Sequence, residues 1–485
     1  MKSLKRVLLP FLCSALIFTA APAYADSASS SGAQSATSAS RIEEVLQLIR
    51  DYYLKGASEE DLVQAAIQGM LDSLDDPYSQ YFNSAEAKEF FNYINGTDYN
   101  MGFYLKPVDS RIKITEVEKG SSAEKAGIKA GDFLVSLNGV KVTVDNIVKV
   151  YYDQLPKEDK GTVTVEVLRG LKTFKYTLEL EKIEYPLATA SLFSGDVGYL
   201  ALTSFSERTV TELDKGLADL RAKGMKSLIL DLRGNGGGDV QAAEDIAKRF
   251  IEKGTFMYLT DNTGEVYEEV IEGGTPIGVP VYLLVDEDTA SASEMLAGML
   301  QDHGIATLIG MTTYGKGVIQ QVQDFEPDGA MLKLTTYEYF TPDGNVVNEV
   351  GITPDIEADD VFSQLFTALR KAGAKRYSVQ IGEEKYTVNG VEFSGKIPVI
   401  RDKGKVYILS RLAAPLIGAS AEWKGGKEQT LVLTKGGKAV KVSLASGKAI
   451  QRNDFTYLEL TELAKQFPSL TWKDTAEGLA LTSAD

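Results

Sequence analysis

The sequence predicts a multidomain α/β protein, and three features carry this prediction. Its 485 residues are enough for about three domains, and a composition of 44% hydrophobic and 25% charged residues can bury a sizeable core. Residues 184–374 alternate strand and helix patterns, which is typical of a core with a partly parallel sheet. Residues 95–183 are rich in short strands, and residues 378–485 repeat one unit, which indicates a β-rich domain followed by an α+β repeat domain.

The composition excludes several kinds of protein. The net charge of −17 disfavours nucleic-acid binding, which needs an excess of Lys and Arg to displace counterions. The chain has one cysteine, Cys13, and one histidine, His303, so a disulfide framework, a Cys-based zinc site and a multi-His metal centre are excluded. We therefore predict no metal and no cofactor, and a Ser-His-Asp triad would have a single candidate base.

Residues 1–25 have the three parts of a secretory signal. A basic start is followed by an almost wholly apolar run at 7–19 and by small residues at Ala23 and Ala25. A short membrane anchor is the alternative, but the run is well under the roughly 20 residues that cross a bilayer. Residues 26–40 are rich in Ser, Ala and Gly and are predicted to be a flexible linker. We therefore predict an extracytoplasmic protein, secreted or held in a bacterial cell envelope.

Residues 41–94 form a predicted helical region. Apolar residues recur at helical spacing in two stretches, 42–49 and 62–71. Such stripes are better suited to packing against another helix or subunit than to exposure. This region is therefore predicted to mediate a homodimer.

Residues 378–485 contain a weak internal repeat. In each copy an apolar stretch that begins with a tyrosine leads to a tryptophan, from Tyr407 to Trp423 and from Tyr457 to Trp472. The segment carries 15 basic and 12 acidic residues, against 51 and 68 in the whole chain. We therefore predict a separate domain with its own electrostatics, suited to a spacer or to attachment to an anionic cell envelope.

Ser291 lies at a strand-to-helix junction, between an apolar strand at 281–285 and an apolar helix beginning near Ala292. The free N–H groups and the dipole of a helix N-terminus favour a developing negative charge. A nucleophile and half of an oxyanion hole would fit at such a junction. An ordinary N-cap serine is the alternative.

A second motif places Lys316 and Gln320 on one face of a predicted strand at 318–322, about 13 Å apart along an ideal strand. A lysine can act as a general base only if burial favours its neutral form. A solvated surface lysine is the alternative.

The third motif, at 231–238, is glycine-rich and lies between a strand and a helix, so its backbone N–H groups could contact a ligand oxygen. A phosphate loop is the rival, but the Gly-Lys-Ser/Thr ending is missing.

These three motifs, in this order, resemble the carboxyl-terminal processing (tail-specific) serine proteases of family S41. Ser291 and Lys316 are 25 residues apart, and Lys316 and Gln320 are four apart, as in that family. Residues 74–81 resemble the family's Asp-Pro-(His/Tyr)-Ser stretch, and residues 332–355 resemble its closing section.

The resemblance implies a secreted endopeptidase that cleaves proteins near their C-terminus through a Ser/Lys dyad. Ser291 would attack the peptide carbonyl, Lys316 would take its proton, and Gln320 would orient the lysine. Gly237 and the backbone of Ala292 match the oxyanion donors, with the choice among glycines 236–238 left open. His303 matches no catalytic position and is interpreted as structural.

Residues 95–183 resemble a PDZ domain, chiefly in the stretch 121–139. Residues 101–105 would be the carboxylate-binding loop and its strand, so the implied substrate-binding residues are Gly102, Phe103 and Tyr104. In this mode a peptide tail adds as a strand while backbone N–H groups bind its terminal carboxylate. The implied partners are protein substrates held by their C-terminal tails.

Residues 378–485 resemble the repeat at the N-terminus of copper amine oxidases, although the segment has no His or Cys to bind copper. Two other functions stay open as alternatives, a non-catalytic PDZ scaffold and a cell-surface binding protein that acts through this tail. The intact Ser291, Lys316 and Gln320 argue against the first. Deleting residues 378–485 and assaying cleavage would test the second.

Overall fold

The structure is a computed structural model, which describes residues 36–154, 161–194, 196–325, 327, 329–425, 429–475 and 478–485. The chain divides into two compact units. The first comprises Met1–Tyr81, Leu187–Phe325 and Met331–Asp485, and the second comprises Phe82–Pro186 and Glu326–Ala330. The predicted signal at 1–25 lies outside the described residues. Within the described residues, no helix is both long and apolar enough to cross a membrane.

The N-terminal segment has two helices and one short strand: α1 (Ala36–Tyr52), α2 (Glu59–Asp72) and β1 (Gln80–Phe82). Helix α1 begins inside the predicted linker, because Ala and Ser can extend the amphipathic helix that follows by a turn. Helix α2 begins after Ser58, whose side chain accepts a hydrogen bond from the Asp61 N–H. The apolar side chains of Ile42, Leu48 and Met70 on these helices are exposed.

The second unit contains a six-stranded antiparallel sheet. Its elements are α3 (Ser84–Ile94), β2 (Thr97–Asn100), β3 (Phe103–Val108), β4 (Arg111–Val117), α4 (Ser122–Ala126), β5 (Phe133–Leu137), β6 (Val140–Lys141), α5 (Ile147–Gln154), β7 (Thr162–Arg169), β8 (Lys172–Glu179) and β9 (Glu181–Glu184). The sheet order is β3-β4-β5-β7-β8, with β6 beside β5, so β3 is an edge strand. The predicted short strands are confirmed in β4, β5, β7 and β8. The unit begins at Phe82 rather than at 95, since the Phe82 ring packs 5.2 Å from that of Phe90 on α3.

The α/β core, at residues 188–371, alternates strands and helices as predicted. Its elements are β10 (Ala188–Phe193), β11 (Val197–Leu202), α6 (Glu207–Ala222), β12 (Ser227–Asp231), α7 (Val240–Ala247), β13 (Gly254–Thr260), β14 (Val266–Ile271), β15 (Val281–Val285), α8 (Ala292–Asp302), β16 (Ala306–Gly310), β17 (Val318–Phe325), β18 (Ala330–Phe340), β19 (Ile356–Glu357) and α9 (Val361–Lys371). The main sheet has the order β10-β11-β12-β15-β16-β19. Strand β10 is antiparallel to β11 and the other pairs are parallel, which confirms a mixed α/β core with a partly parallel sheet.

Helix α7 ends at Ala247. The backbone carbonyl groups just after this helix accept hydrogen bonds from a neighbouring loop, so they are not available to a further helical turn. The N–H of Thr275 donates to Lys248 O at 2.7 Å, and that of Ile277 donates to Arg249 O at 2.8 Å. A Cβ on Gly274 would lie 1.9 Å from the Ile251 carbonyl oxygen, so this loop can approach only because position 274 is glycine.

The C-terminal segment confirms the internal repeat. Its elements are β20 (Arg376–Ile381), β21 (Lys385–Val388), β22 (Val391–Ser394), β23 (Val399–Asp402), β24 (Lys405–Leu409), α10 (Ser410–Ile417), β25 (Ser420–Lys424), β26 (Thr430–Lys435), β27 (Lys438–Ser443), β28 (Ala449–Arg452), β29 (Phe455–Glu459), α11 (Leu460–Gln466), β30 (Thr471–Thr475) and β31 (Gly478–Ala484). The unit β24-α10-β25-β26 recurs as β29-α11-β30-β31. Trp423 pairs with Leu431 in the first copy and Trp472 pairs with Leu481 in the second.

This segment is not separate from the α/β core, contrary to the prediction made from its charge. It belongs to the same compact unit and shares one hydrophobic cluster with the core. In that cluster the ring of Phe393 on β22 stacks on Phe193 of the main sheet, with centroids 6.4 Å apart, and meets Tyr199 edge to face, with centroids 5.6 Å apart. The net charge did not predict this packing because charged residues lie on the solvated surface of a domain, whereas the contact is made by the apolar face of α10, which packs on α9.

Candidate active site

Three neighbouring parallel strands bring the three sequence motifs together. The glycine-rich loop follows the carboxyl end of β12, Ser291 follows that of β15, and Lys316 follows that of β16. Because the carboxyl ends of parallel strands meet at one edge of a sheet, the loops after them form one crevice. Side-chain and backbone bonds tie these loops together. The Ala290 N–H donates to Asn235 O at 3.1 Å, and the Tyr314 N–H donates to Thr289 O at 2.9 Å.

Ser291 has an unusual backbone conformation, with φ 57° and ψ −119°, immediately before α8. A side chain other than glycine in such a conformation costs about 1–3 kcal/mol, and such strain clusters at functional sites. The residue is buried, at 3% exposure, and its N–H donates to Glu294 Oε2 at 2.8 Å. A hydrogen bond from its backbone therefore stabilises a strained serine immediately before the start of a helix.

Glu294 joins the backbone of Ser291 to that of Lys316. Its Oε2 accepts from Ser291 N–H at 2.8 Å and from Lys316 N–H at 2.9 Å, so these two nitrogens are at most 5.7 Å apart. Its Oε1 accepts from the Thr313 hydroxyl at 2.5 Å and from the Gly315 N–H at 2.7 Å. Burial raises the pKa of the Glu294 carboxyl above its ordinary value, although the four hydrogen bonds favour the ionised form. One buried carboxyl thus fixes both loops.

Lys316 is fully buried, and its Nζ donates to Gln320 Oε1 at 2.8 Å. Lys316 precedes β17 instead of lying on it, so the spacing of about 13 Å expected for an ideal strand does not apply, and the side chains of Lys316 and Gln320 meet. The backbone at position 317 approaches Asn348 so closely that only glycine fits, since a Cβ there would lie 2.1 Å from Asn348 N. The ring of Tyr78 lies 4.6 Å from Lys316 Nζ, and burial raises the pKa of Tyr78 to about 12.

The glycine-rich loop approaches Ser291 as closely as its backbone allows. Gly237 has φ 101°, and a Cβ there would lie 2.8 Å from Ala290 O and 3.0 Å from Ser291 Cβ. The Gly237 N–H donates to Asn235 Oδ1 at 2.9 Å. By contrast, the N–H groups of Gly238 and Ala292 have no acceptor among the residues that the structure describes.

Gln320 is held from its other side by a group of polar residues from the N-terminal segment. Its Nε2 donates to Thr335 Oγ1 at 3.1 Å, and the Thr335 N–H donates to Ser79 Oγ at 3.0 Å. The Ser79 hydroxyl in turn donates to Asp76 Oδ2 at 2.5 Å. The residues between α2 and β1 therefore reach the centre of the candidate active site.

His303 lies at the opposite end of the helix that Ser291 precedes. Helix α8 has 11 residues, so the two ends are about 16 Å apart. The His303 Nε2 lies 2.8 Å from the Thr255 carbonyl oxygen. These contacts agree with the structural role expected of this histidine.

The predicted peptide-binding residues of the second unit have different environments. Gly102 has φ 78° and a Cβ there would lie 2.2 Å from Ser121 Cβ, so only glycine fits. Its N–H donates to Asn100 Oδ1 at 2.7 Å. Phe103 is buried in the core of the unit, whereas Tyr104 is exposed and its hydroxyl donates to Glu118 Oε1 at 2.7 Å.

Several known proteins are similar in sequence to this chain. Carboxy-terminal processing protease CtpB of Bacillus subtilis is 33% identical to this chain over 331 residues, which cover 67% of this chain and 68% of CtpB. The chain belongs to peptidase family S41. Carboxy-terminal processing protease CtpA of the same organism is 35% identical over 316 residues, 64% of this chain and 67% of CtpA. The solved structure of the photosystem II D1 C-terminal processing protease is 26% identical, with a TM-score of 0.42, over 69% of this chain and 96% of that one.

Family models divide this S41 peptidase further. Peptidase family S41 matches residues 196–358, a PDZ domain matches residues 113–152, and the N-terminal domain of the activating protease CtpB matches residues 18–86. The protein is thus a serine protease of the carboxy-terminal processing type that contains a PDZ domain. A protease of this class, with a PDZ domain, acts on protein substrates. The likeness of residues 378–485 to copper amine oxidases stays a prediction.

Sequence reasoning about this S41 peptidase missed several residues that complete the site. Glu294 could have been found, because a serine followed three positions later by glutamate is the spacing of a capping box. Asp76 and Ser79 lie in the stretch 74–81 and Thr335 lies in the stretch 332–355, which indicated only a family resemblance, since the roles of these residues depend on contacts far apart in the chain.

Proposed function

We propose that this S41 peptidase cleaves peptide bonds through a Ser291/Lys316 dyad. The observation that carries the proposal is the fully buried Lys316, whose Nζ donates to Gln320 Oε1 at 2.8 Å while Glu294 binds the backbone of both dyad residues. An amine without access to water is favoured in its neutral form, which has a lone pair to accept a proton. Gln320 fixes the amine by accepting one of its hydrogens.

In this proposal neutral Lys316 takes the Ser291 hydroxyl proton as the oxygen attacks the carbonyl carbon of the substrate. The charge that develops on the carbonyl oxygen is stabilised by the Ala292 N–H and by an amide of the loop at 236–238. Gly238 N–H is available for this, whereas Gly237 N–H would first have to leave Asn235 Oδ1. The ammonium formed on Lys316 faces the Tyr78 ring at 4.6 Å, a distance suited to a cation–π interaction.

We further propose that the PDZ domain binds the C-terminal tails of substrates. Strand β3 lies at the edge of its sheet, so a peptide can add beside it as another strand. Gly102 and the exposed Tyr104 border this edge, whereas the buried Phe103 supports it from the core.

We also propose how the protein assembles, where it is located and what its C-terminal segment contacts. The exposed apolar faces of α1 and α2 would pair two copies into a homodimer, which removes that surface from water. Residues 1–25 would direct the chain out of the cytoplasm. Residues 378–485 would add contacts to an anionic envelope, in addition to packing on the protease core.

The dyad predicts a distinctive pH dependence. A general base works in its deprotonated form, so kcat/KM should rise with pH until Lys316 is fully neutral and then reach a plateau. His303→Ala should leave both the activity and this profile unchanged, since His303 contacts Thr255 and not the site. The measurement is kcat/KM on a fluorogenic peptide between about pH 5 and pH 10. A profile that collapses in the His303 variant would contradict the assignment of the base.

The PDZ proposal predicts that a free C-terminal carboxylate strengthens binding. Two or three N–H groups converge on the carboxylate in this mode, and charge-assisted hydrogen bonds are stronger than neutral ones. Binding should therefore weaken by at least about tenfold, or about 1.4 kcal/mol, when the same peptide ends in an amide. Titration of the Ser291→Ala chain, which avoids cleavage, with matched acid and amide peptides measures this. Equal affinity for the two forms would contradict carboxylate recognition.

A further inference from the structure

Apart from Tyr78, the residues between α2 and β1 have no role in the dyad as proposed, yet hydrogen bonds connect Asp76 and Ser79 to Gln320 through Thr335. Asp76 accepts from the Tyr78 N–H at 3.0 Å, from the Ser79 N–H at 3.1 Å and from the Ser79 hydroxyl at 2.5 Å. Partial burial of Asp76 would raise its pKa, but these bonds and one with the Thr335 side chain lower it below the ordinary value. Asp76 is therefore ionised and can only accept hydrogen bonds.

The Asp76 carboxylate fixes Thr335 through Ser79. The Ser79 hydroxyl donates its hydrogen to Asp76 Oδ2, so the Ser79 oxygen is left as an acceptor, and the Thr335 N–H donates to it at 3.0 Å. Thr335 is held in this way where its hydroxyl oxygen accepts from Gln320 Nε2 at 3.1 Å. With its NH₂ group held in this way, the Gln320 carboxamide presents its oxygen to Lys316 Nζ at 2.8 Å.

We propose that Asp76 and Thr335 are positioning residues, which act through Gln320 to keep the carboxamide oxygen, rather than its NH₂ group, facing Lys316. This inference rests on the proposed dyad. A rotated carboxamide would donate an N–H to the lysine lone pair, the same lone pair that must accept the serine proton. The orientation seen keeps the carboxamide NH₂ group away from that lone pair, because the carboxamide oxygen accepts a hydrogen of the amine instead.

The first test compares three variants on β18. Thr335→Val removes the hydroxyl at nearly constant shape, Thr335→Ser keeps it, and Thr336→Val removes the neighbouring hydroxyl. Thr336 is a matched control, since its buried Oγ1 has no hydrogen-bond partner, so its loss is neutral or stabilising. We expect Thr335→Val to lower kcat by about 10- to 100-fold with KM changed little, as misplaced catalytic groups do. Thr335→Ser should restore most of the activity, and Thr336→Val should match the wild type.

The second test asks whether Thr335 acts through Gln320. Gln320→Ala removes the carboxamide, so adding Thr335→Val to it should cost nothing further in kcat, whereas independent effects would multiply. Asp76→Asn can donate as well as accept, so it should reproduce part of the Thr335→Val loss of kcat. Thermal unfolding of each variant separates a folding defect from a loss of positioning.

Two results would contradict the positioning roles of Asp76 and Thr335 and leave the Ser291/Lys316 dyad unaffected. One is a Thr335→Val variant as active as Thr336→Val, and the other is full multiplication of effects in the double variant. Failure of the dyad itself has a different signature, namely normal cleavage by Lys316→Ala. The two proposals can therefore fail separately.

Discussion

Replacing Ser291 or Lys316 with Ala is expected to lower kcat/KM by at least about 10³-fold, and the double variant is expected to be scarcely worse than either single one. Nucleophile and base act as one unit, so removing either removes the chemistry that both perform. Lys316→Arg should be equally inactive, because a guanidinium stays protonated and cannot take the serine proton. The measurement is steady-state cleavage of a peptide, with active-site titration of the wild type as reference.

Ser293→Ala provides the matched control for the serine. Ser293 is buried two positions away, and its hydroxyl donates to Asn235 O at 2.9 Å. Losing this bond should cost about 1 kcal/mol of stability and only a small part of the activity. If Lys316→Ala kept near-normal activity while His303→Ala abolished it, the dyad would be wrong.

The sequence was informative wherever a local pattern decides the structure. Strand and helix periodicities predicted the elements of the core. The three motifs could be expected to meet because each follows the carboxyl end of a parallel strand. The repeat around Trp423 and Trp472 could be read from spacing alone, and the strands show the same pairing in both copies.

Contacts between distant residues could not be read in this way. The Thr335 N–H donates to Ser79 Oγ across 256 positions of the chain, and nothing in either stretch marks the other as its partner. Gly237 illustrates a second limit, since its N–H donates to Asn235 two residues earlier, a turn geometry that a glycine-rich loop permits but does not specify. The compact units of the structure differ from the predicted domains for a third reason. Charge and composition reflect the solvent-exposed surface of a domain, whereas the packing of one segment on another depends on buried apolar side chains.

A chain that ends at Lys375 is expected not to fold into a stable protease. Truncation there removes α10 and β20–β31 and exposes apolar side chains of α9, among them Phe366 and Leu369, which are fully buried in the shared cluster. Burying such a side chain contributes about 1.5–3 kcal/mol, so losing the burial of several is comparable with the usual 5–15 kcal/mol of folding stability. The measurement is cooperative unfolding in urea together with peptide cleavage. A truncated chain that unfolds cooperatively and cleaves normally would return residues 376–485 to the role of a separate attachment module.

Point substitutions in the full chain test the same packing without deleting a domain. Phe393→Ala should cost about 3 kcal/mol, because its ring contacts Phe193 and Tyr199 of the main sheet. Phe455→Ala, at 45% exposure, is the matched control and should change stability by less than about 0.5 kcal/mol. The Phe393 variant should also lose activity, since the Tyr199 hydroxyl donates to Asp231 at 2.7 Å and Asp231 pairs with Arg233 at the start of the glycine-rich loop. An equal urea midpoint for the two variants would mean that the C-terminal segment does not support the catalytic core.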